Sequence, residues 1–211
     1  MAEIRLIVVD STSDLANKIG QSIASDINAS ISTILSTNVI EQGLEKIITN
    51  AIEVSPEYES LLNGQLQKEF GLKEAKTSLD SIINGIIREM DIEFRPFTFI
   101  GNSFIGSLTI SISKSDFSDV LNVDGASYIS KNGIIVPWLN WLLLYGDNIV
   151  IGDYKIQYKD NDEVFMVKSN EGWRVPPEFS GTESDNWITR SLSVVPEELE
   201  KFIYSEILRR L

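Results

Sequence analysis

Over residues 1–9, Ile4, Leu6 and Val8 alternate with Glu3, Arg5 and Ile7, the period of a half-buried strand, and the pattern stops at Asp10-Ser11. From Ser13 the period changes. Leu15, Ile19, Ile23, Ile27, Ile31, Ile34, Leu35, Val39, Leu44, Ile47, Ile48 and Ile52 recur mostly at steps of three or four, with no proline before Pro56. This predicts one long amphipathic helix, or two separated near Asn38. Its polar face is Ser, Asn, Thr and Asp rather than Lys and Glu, so propensity and ion pairs contribute little. Such a helix depends on packing, against its own chain or against another subunit.

Ser55-Pro56-Glu57 pairs a capping side chain with proline at the first helical position, and Gly71 after Phe70 supplies a stop, with a break expected at Asn63-Gly64. A further helix is predicted over 73–89, carrying Leu79, Ile82, Ile83, Ile86 and Ile87 on one side. Beyond Met90 the sequence turns to strand. The runs 92–95 and 97–100 lead through Gly101-Asn102 into 107–113, where Leu108, Ile110 and Ile112 alternate with Ser and Thr. Pro137 opens a helix over 138–145 that is apolar nearly all round and closes at Gly146-Asp147, which implies burial on more than one side. Strands follow at 149–158 and 164–168 around the acidic turn 159–162, then an irregular stretch over 169–185. A last helix begins at Pro196-Glu197-Glu198 and ends on Arg209-Arg210, its charges matched to the helix dipole.

The predicted fold class is therefore α+β: long N-terminal helices, a central antiparallel sheet with one short aromatic helix, and a C-terminal helix. One domain is expected over 1–211, with a mainly helical lobe at 1–90 and a sheet-rich lobe with the C-terminal helix at 91–211. A chain of 211 residues, 43% of them hydrophobic, can bury a core without metal or disulfide support.

Composition removes several kinds of chemistry. With no cysteine there is no disulfide, thiolate metal site or cysteine nucleophile. With no histidine the usual neutral-pH base and the commonest metal ligand are also absent. Asp and Glu outnumber Lys and Arg by 31 to 18, a net charge of −13, which opposes binding to phosphate backbones and anionic lipid. Residues 1–9 lack the features of a targeting signal, and the longest apolar run, 134–145, is shorter than the roughly twenty residues a spanning helix needs. No membrane association, sequence-specific nucleic-acid binding, metal or cofactor is expected.

Neither glycine of 101–106 sits in a phosphate-binding pattern, and a hairpin connection explains them. Asp160, Asp162 and Glu163 lack the spacing of a calcium loop and read as a solvated turn. Carboxylates alone can hydrolyse glycosides, so pairs such as Glu178 with Asp185 keep a cell-wall hydrolase as an alternative. The segment 173–190 stands apart: Trp173, Arg174, Pro176, Pro177, Phe179, Trp187 and Arg190 lie in a stretch without a regular pattern. Trp and Arg are enriched at interface hot spots, and prolines reduce the entropy lost when an extended arm docks. An aromatic lid over the chain's own core is the competing explanation. Trp138 and Trp141, three apart on one helical face, are core residues by default, while the Leu139, Leu142 and Leu143 face leaves room for a second packed surface. With Tyr145 they complete the candidate protein-contact residues.

Three blocks, 55–72, 137–147 and 173–190, resemble virion structural proteins of tailed bacteriophages and cover about a quarter of the chain. The order of elements is similar to the neck, or tail-completion (head-tail joining), proteins of those particles. Gly106-Ser107-Leu108 matches the strand after the helical region, Tyr145-Gly146 the end of the aromatic helix, and Pro177 with Phe179 the segment before the last helix. The chain is longer than typical members, and its Pro-Pro-Glu-Phe spacing differs from theirs. The resemblance implies a non-enzymatic subunit of the virion, made in the bacterial host cytoplasm. It also implies a self-assembled ring, expected to be a hexamer, at the head-tail junction, contacting a connector or adaptor and tail-terminator or tail-tube proteins. A tail terminator or baseplate component of the same particle is the alternative position. An acidic ring lumen would let DNA pass without sticking.

Overall fold

The computed structural model describes residues 11–112, 116–130, 132–159 and 164–209. The strand expected over 1–9 and most of the 159–162 turn lie outside them. The α+β class is as expected, and the chain forms two compact units: Met1–Gly43, Asp91–Ser111 and Lys201–Leu211 make one, Leu44–Met90 and Ile112–Glu200 the other. This grouping crosses the boundary expected at residue 90, because the 91–111 strands pack on the first helix.

In the first unit, α1 (Thr12–Leu35) starts at Ser11, whose hydroxyl accepts from the Asp14 amide at 3.1 Å. It ends before the Thr37-Asn38 turn, and α2 (Val39–Glu53) follows, its residues from Leu44 onward belonging to the second unit, so the two-helix alternative holds. Strands β1 (Asp91–Ile100) and β2 (Ser103–Ser111) form an antiparallel hairpin through Gly101-Asn102, both at positive φ, 57° and 66°. The register pairs Arg95 with Ser107 and Thr98 with Ile105, leaving Pro96 and Phe97 of β1 opposite Gly106 alone, a β-bulge. Asn28 of α1 repairs the interrupted ladder. Its amide donates to the Phe97 carbonyl at 2.8 Å and accepts from the Phe97 N–H at 2.7 Å. Small residues permit the close approach, since a methyl at Gly20 would fall 2.2 Å from the Phe99 ring.

The second unit holds the large core. Ser55 caps α3 (Pro56–Asn63), accepting from the Tyr58 amide, with proline at the first turn. Gly64 separates α3 from α4 (Gln65–Phe70), and Gly71, at φ 70°, ends α4. Next come α5 (Ala75–Arg88), α6 (Ser118–Leu121), the short pair β3 (Tyr128–Ile129) and β4 (Ile135–Val136), and α7 (Trp138–Leu144). They are followed by β5 (Tyr154–Tyr158), β6 (Val164–Lys168), α8 (Trp187–Leu192) and α9 (Val195–Leu208), which runs on into the first unit's sequence. The core joins Ile48, Leu61, Leu66, Leu79, Ile82 and Ile86 to Trp138, Leu139, Leu142 and Trp187, all essentially inaccessible.

One expectation needs correcting. Among the described residues the strands form three separate two-stranded sheets, not one central sheet. The strand expected from residue 149 begins at Tyr154, while Ile151 makes a single bridge to Trp173. Isolated hairpins are only marginally stable, so each here leans on a helix or loop.

Candidate functional site

The 173–190 segment is built into the second unit. The Trp173 N–H donates to the Ile151 carbonyl at 2.7 Å, and its indole donates to Glu69 at 3.1 Å. Its ring meets Phe70 and Trp141 edge-on, at centroid distances of 5.8 and 6.2 Å. Pro176 is buried, and the chain turns there, its carbonyl accepting from both Phe179 and Ser180. Gly181 then passes close to α7, its carbonyl accepting from Gly146 at 2.8 Å. Asn186 and Thr189 cap α8 reciprocally: the Thr189 amide donates to Asn186 Oδ1 and the Asn186 amide to Thr189 Oγ1.

Arg190, on α8, ties this segment to α3. Nη2 lies 2.7 Å from Glu57 Oε1, Nε donates to the same oxygen at 2.9 Å, and Nη1 reaches Asp185 at 3.0 Å. Only 7% of the Glu57 side chain is exposed, so its charge depends on that guanidinium. The Trp187 indole donates to Ser55 Oγ at 2.8 Å beside this pair.

These contacts decide between lid and docking arm for most of the segment. Trp173, Pro176 and Trp187 are buried in their own unit, as is Trp138, whose indole donates to the Gly125 carbonyl at 2.7 Å. Their apolar surface and the three indole donors are already used, so as contact residues these four are corrected to core. Trp141 and Phe179 are half-buried against the same core, and Arg190 is committed to Glu57 and Asp185. Tyr145, Arg174 and Pro177 stay exposed. Of the carboxylates weighed for hydrolysis, Asp185 is paired with Arg190 and Glu178 is exposed. A second carboxylate, Glu69, accepts from the Tyr158 hydroxyl at 2.5 Å as well as from Trp173. Loss of hydration and this bond raise the Tyr158 pKa above its ordinary value.

Large apolar groups are exposed in both units, among them Val54, Ile129 and Ile149 in the second; in the first they fall on one line of a helix. Along α1, Leu15, Ile19 and Ile23 repeat at steps of four and are 46%, 53% and 44% exposed, whereas Gly20, Ala24, Ile31 and Ile34 are buried. At the hairpin turn Ile100, Phe104 and Ile105 are exposed as well. The 3.6-residue pattern that predicts α1 counts these aliphatics as core; it cannot say which of them the chain itself covers. Asn28 and Glu57 carried no signal of their roles, since their partners lie 69 and 133 residues away.

No protein-family model, curated protein or solved structure matches the chain. Among the described residues no helix is long and apolar enough to cross a membrane, and no cluster of three acidic side chains is placed to hold a metal ion.

Proposed function

We propose that this protein is a structural subunit that assembles with copies of itself, and that its place is the neck of a tailed-phage particle as a tail-completion ring. The observation that carries the assembly reading is the α1 stripe. Three large aliphatic side chains lie half in water on one line of a helix whose polar residues supply little intrinsic stability. Exposed apolar side chains aligned on one face of a helix in this way mark a contact surface. The placement in a virion is supported by the resemblance of blocks 55–72, 137–147 and 173–190. The net charge of −13 suits a ring through which DNA passes.

Electron microscopy of particles made by a phage with an early stop codon in this gene tests the reading. Filled heads beside finished, unattached tails are expected. Overlong tails would instead make the protein a tail terminator, and normal infectious particles would overturn the structural role.

A further inference from the structure

The two edges of the β1–β2 hairpin are treated in opposite ways. An open edge offers unpaired N–H and C=O groups to any passing strand, and proteins blunt such edges with charge, proline, bulges or a covering helix. β1 has all four: Asp91, Glu93 and Arg95, Pro96, the bulge at 96–97, and α1 with Asn28 bonded to Phe97. β2 has none. Its nine residues, Ser-Phe-Ile-Gly-Ser-Leu-Thr-Ile-Ser, contain no charge and no proline. Because the extra residue of the bulge sits on β1, β2 keeps a regular strand repeat. Among the described residues, no backbone hydrogen bond links β2 to any strand but β1.

We propose that the free edge of β2 binds the same edge of a second copy of this chain, antiparallel about a two-fold axis at Ser107. This deepens, and rests on, the self-assembly reading. The occupant follows from charge and register. Two chains of −13 repel, and an uncharged nine-residue strand is where they can approach with least opposition. The register centred on Ser107 pairs all nine residues. It sets Phe104 opposite Ile110 of the second copy, a favourable aromatic–β-branched pair, with Ile105 opposite Thr109 and Gly106 opposite Leu108, and it brings no like charges together. The product is a four-stranded sheet in place of two marginal hairpins. A two-fold contact closes on itself, so it is separate from any contact that closes a ring.

The absence of cysteine makes the test direct, because a single introduced cysteine can form only an intermolecular disulfide. In the proposed register residue 107 faces itself with Cα atoms about 4.5–5.5 Å apart, within disulfide range. Residue 109 is displaced from its copy by four residues, about 14 Å, which is out of range. Mild oxidation of the full-length Ser107→Cys protein is expected to give a covalent dimer at least tenfold faster than Thr109→Cys. Ser107→Asp supplies the second reading. Its carboxylate would lie across the hairpin from Arg95, which favours the fold, but opposite its own copy in the pair, which opposes the dimer. Unchanged circular dichroism with at least tenfold weaker self-association in sedimentation is expected. Equal cross-linking of the two cysteine variants, or undiminished association of Ser107→Asp, would overturn the β2 pairing while leaving self-assembly intact. A wild-type chain that stays monomeric at all concentrations would overturn both.

Discussion

Replacing Asn28 by alanine sets two effects of opposite sign against each other. Asparagine is a poor helix residue, and at an exposed mid-helix site the change to alanine stabilises by about 0.5 kcal/mol. Here the side chain is part-buried and satisfies both backbone groups of Phe97 at the bulge, at 2.7 and 2.8 Å. Each such bond contributes about 1 kcal/mol net, and an N–H or C=O left without a partner costs about 1–3 kcal/mol where water cannot replace it. Partial access keeps the loss near the lower figures, so the first unit is destabilised by about 1–2 kcal/mol after the helix gain is subtracted. Hydrogen exchange reads this at the affected site: the Phe97 amide should lose roughly tenfold in protection, since about 1.4 kcal/mol corresponds to a factor of ten. Asn28→Asp, which can still accept from the Phe97 N–H but cannot donate to the carbonyl, should fall between. Unchanged protection, or a variant more stable than wild type, would refute the view that Asn28 anchors the bulge.

Arg190→Met should destabilise the second unit by about 3–5 kcal/mol in urea unfolding, because it leaves the Glu57 charge buried and unpaired; adding Glu57→Gln should restore much of the loss. Ser191→Ala should raise the melting temperature, since the buried Ser191 hydroxyl has no hydrogen-bond partner among the described residues and alanine is the better helix former. Gly106→Ala should destabilise the hairpin by about 1–3 kcal/mol in thermal unfolding, because the new methyl would lie 2.7 Å from the Phe97 Cα. Tyr158 has a folded pKa raised above the ordinary 10.0, so the unfolded chain ionises first. Its contribution is whole below pH 10 and is lost as pH rises beyond it; melting measured from pH 8 to 11 should fall more steeply for wild type than for Tyr158→Phe.

Much of the fold was legible in the sequence where one residue type has one conformational meaning. Ser55-Pro56 starts α3, Gly64 and Gly71 bound α4, and Gly101-Asn102 turns the hairpin, each for a reason internal to a few residues. The sequence left one long helix or two separated near Asn38 open, and the Thr37-Asn38 turn decides for two. What stayed hidden depends on pairs far apart in sequence: Asn28 with Phe97, Glu57 with Arg190, Glu69 with Tyr158 and Trp173. The aromatic and proline-rich 173–190 segment has the composition of a docking arm and of a lid alike. Only the placement of Trp173 and Trp187 against their own core separates the two. The exposed stripe of α1 shows the same limit from the other side, because Leu15, Ile19 and Ile23 have the spacing of core residues and are about half exposed.

The most direct test of self-assembly is sedimentation velocity of the wild-type protein across a hundredfold concentration range. A discrete species at a multiple of the 23.7 kDa chain mass is predicted, shifting toward the monomer when Leu15, Ile19 and Ile23 are replaced together by serine. A single 23.7 kDa monomer at every concentration, unaffected by those substitutions, would contradict it.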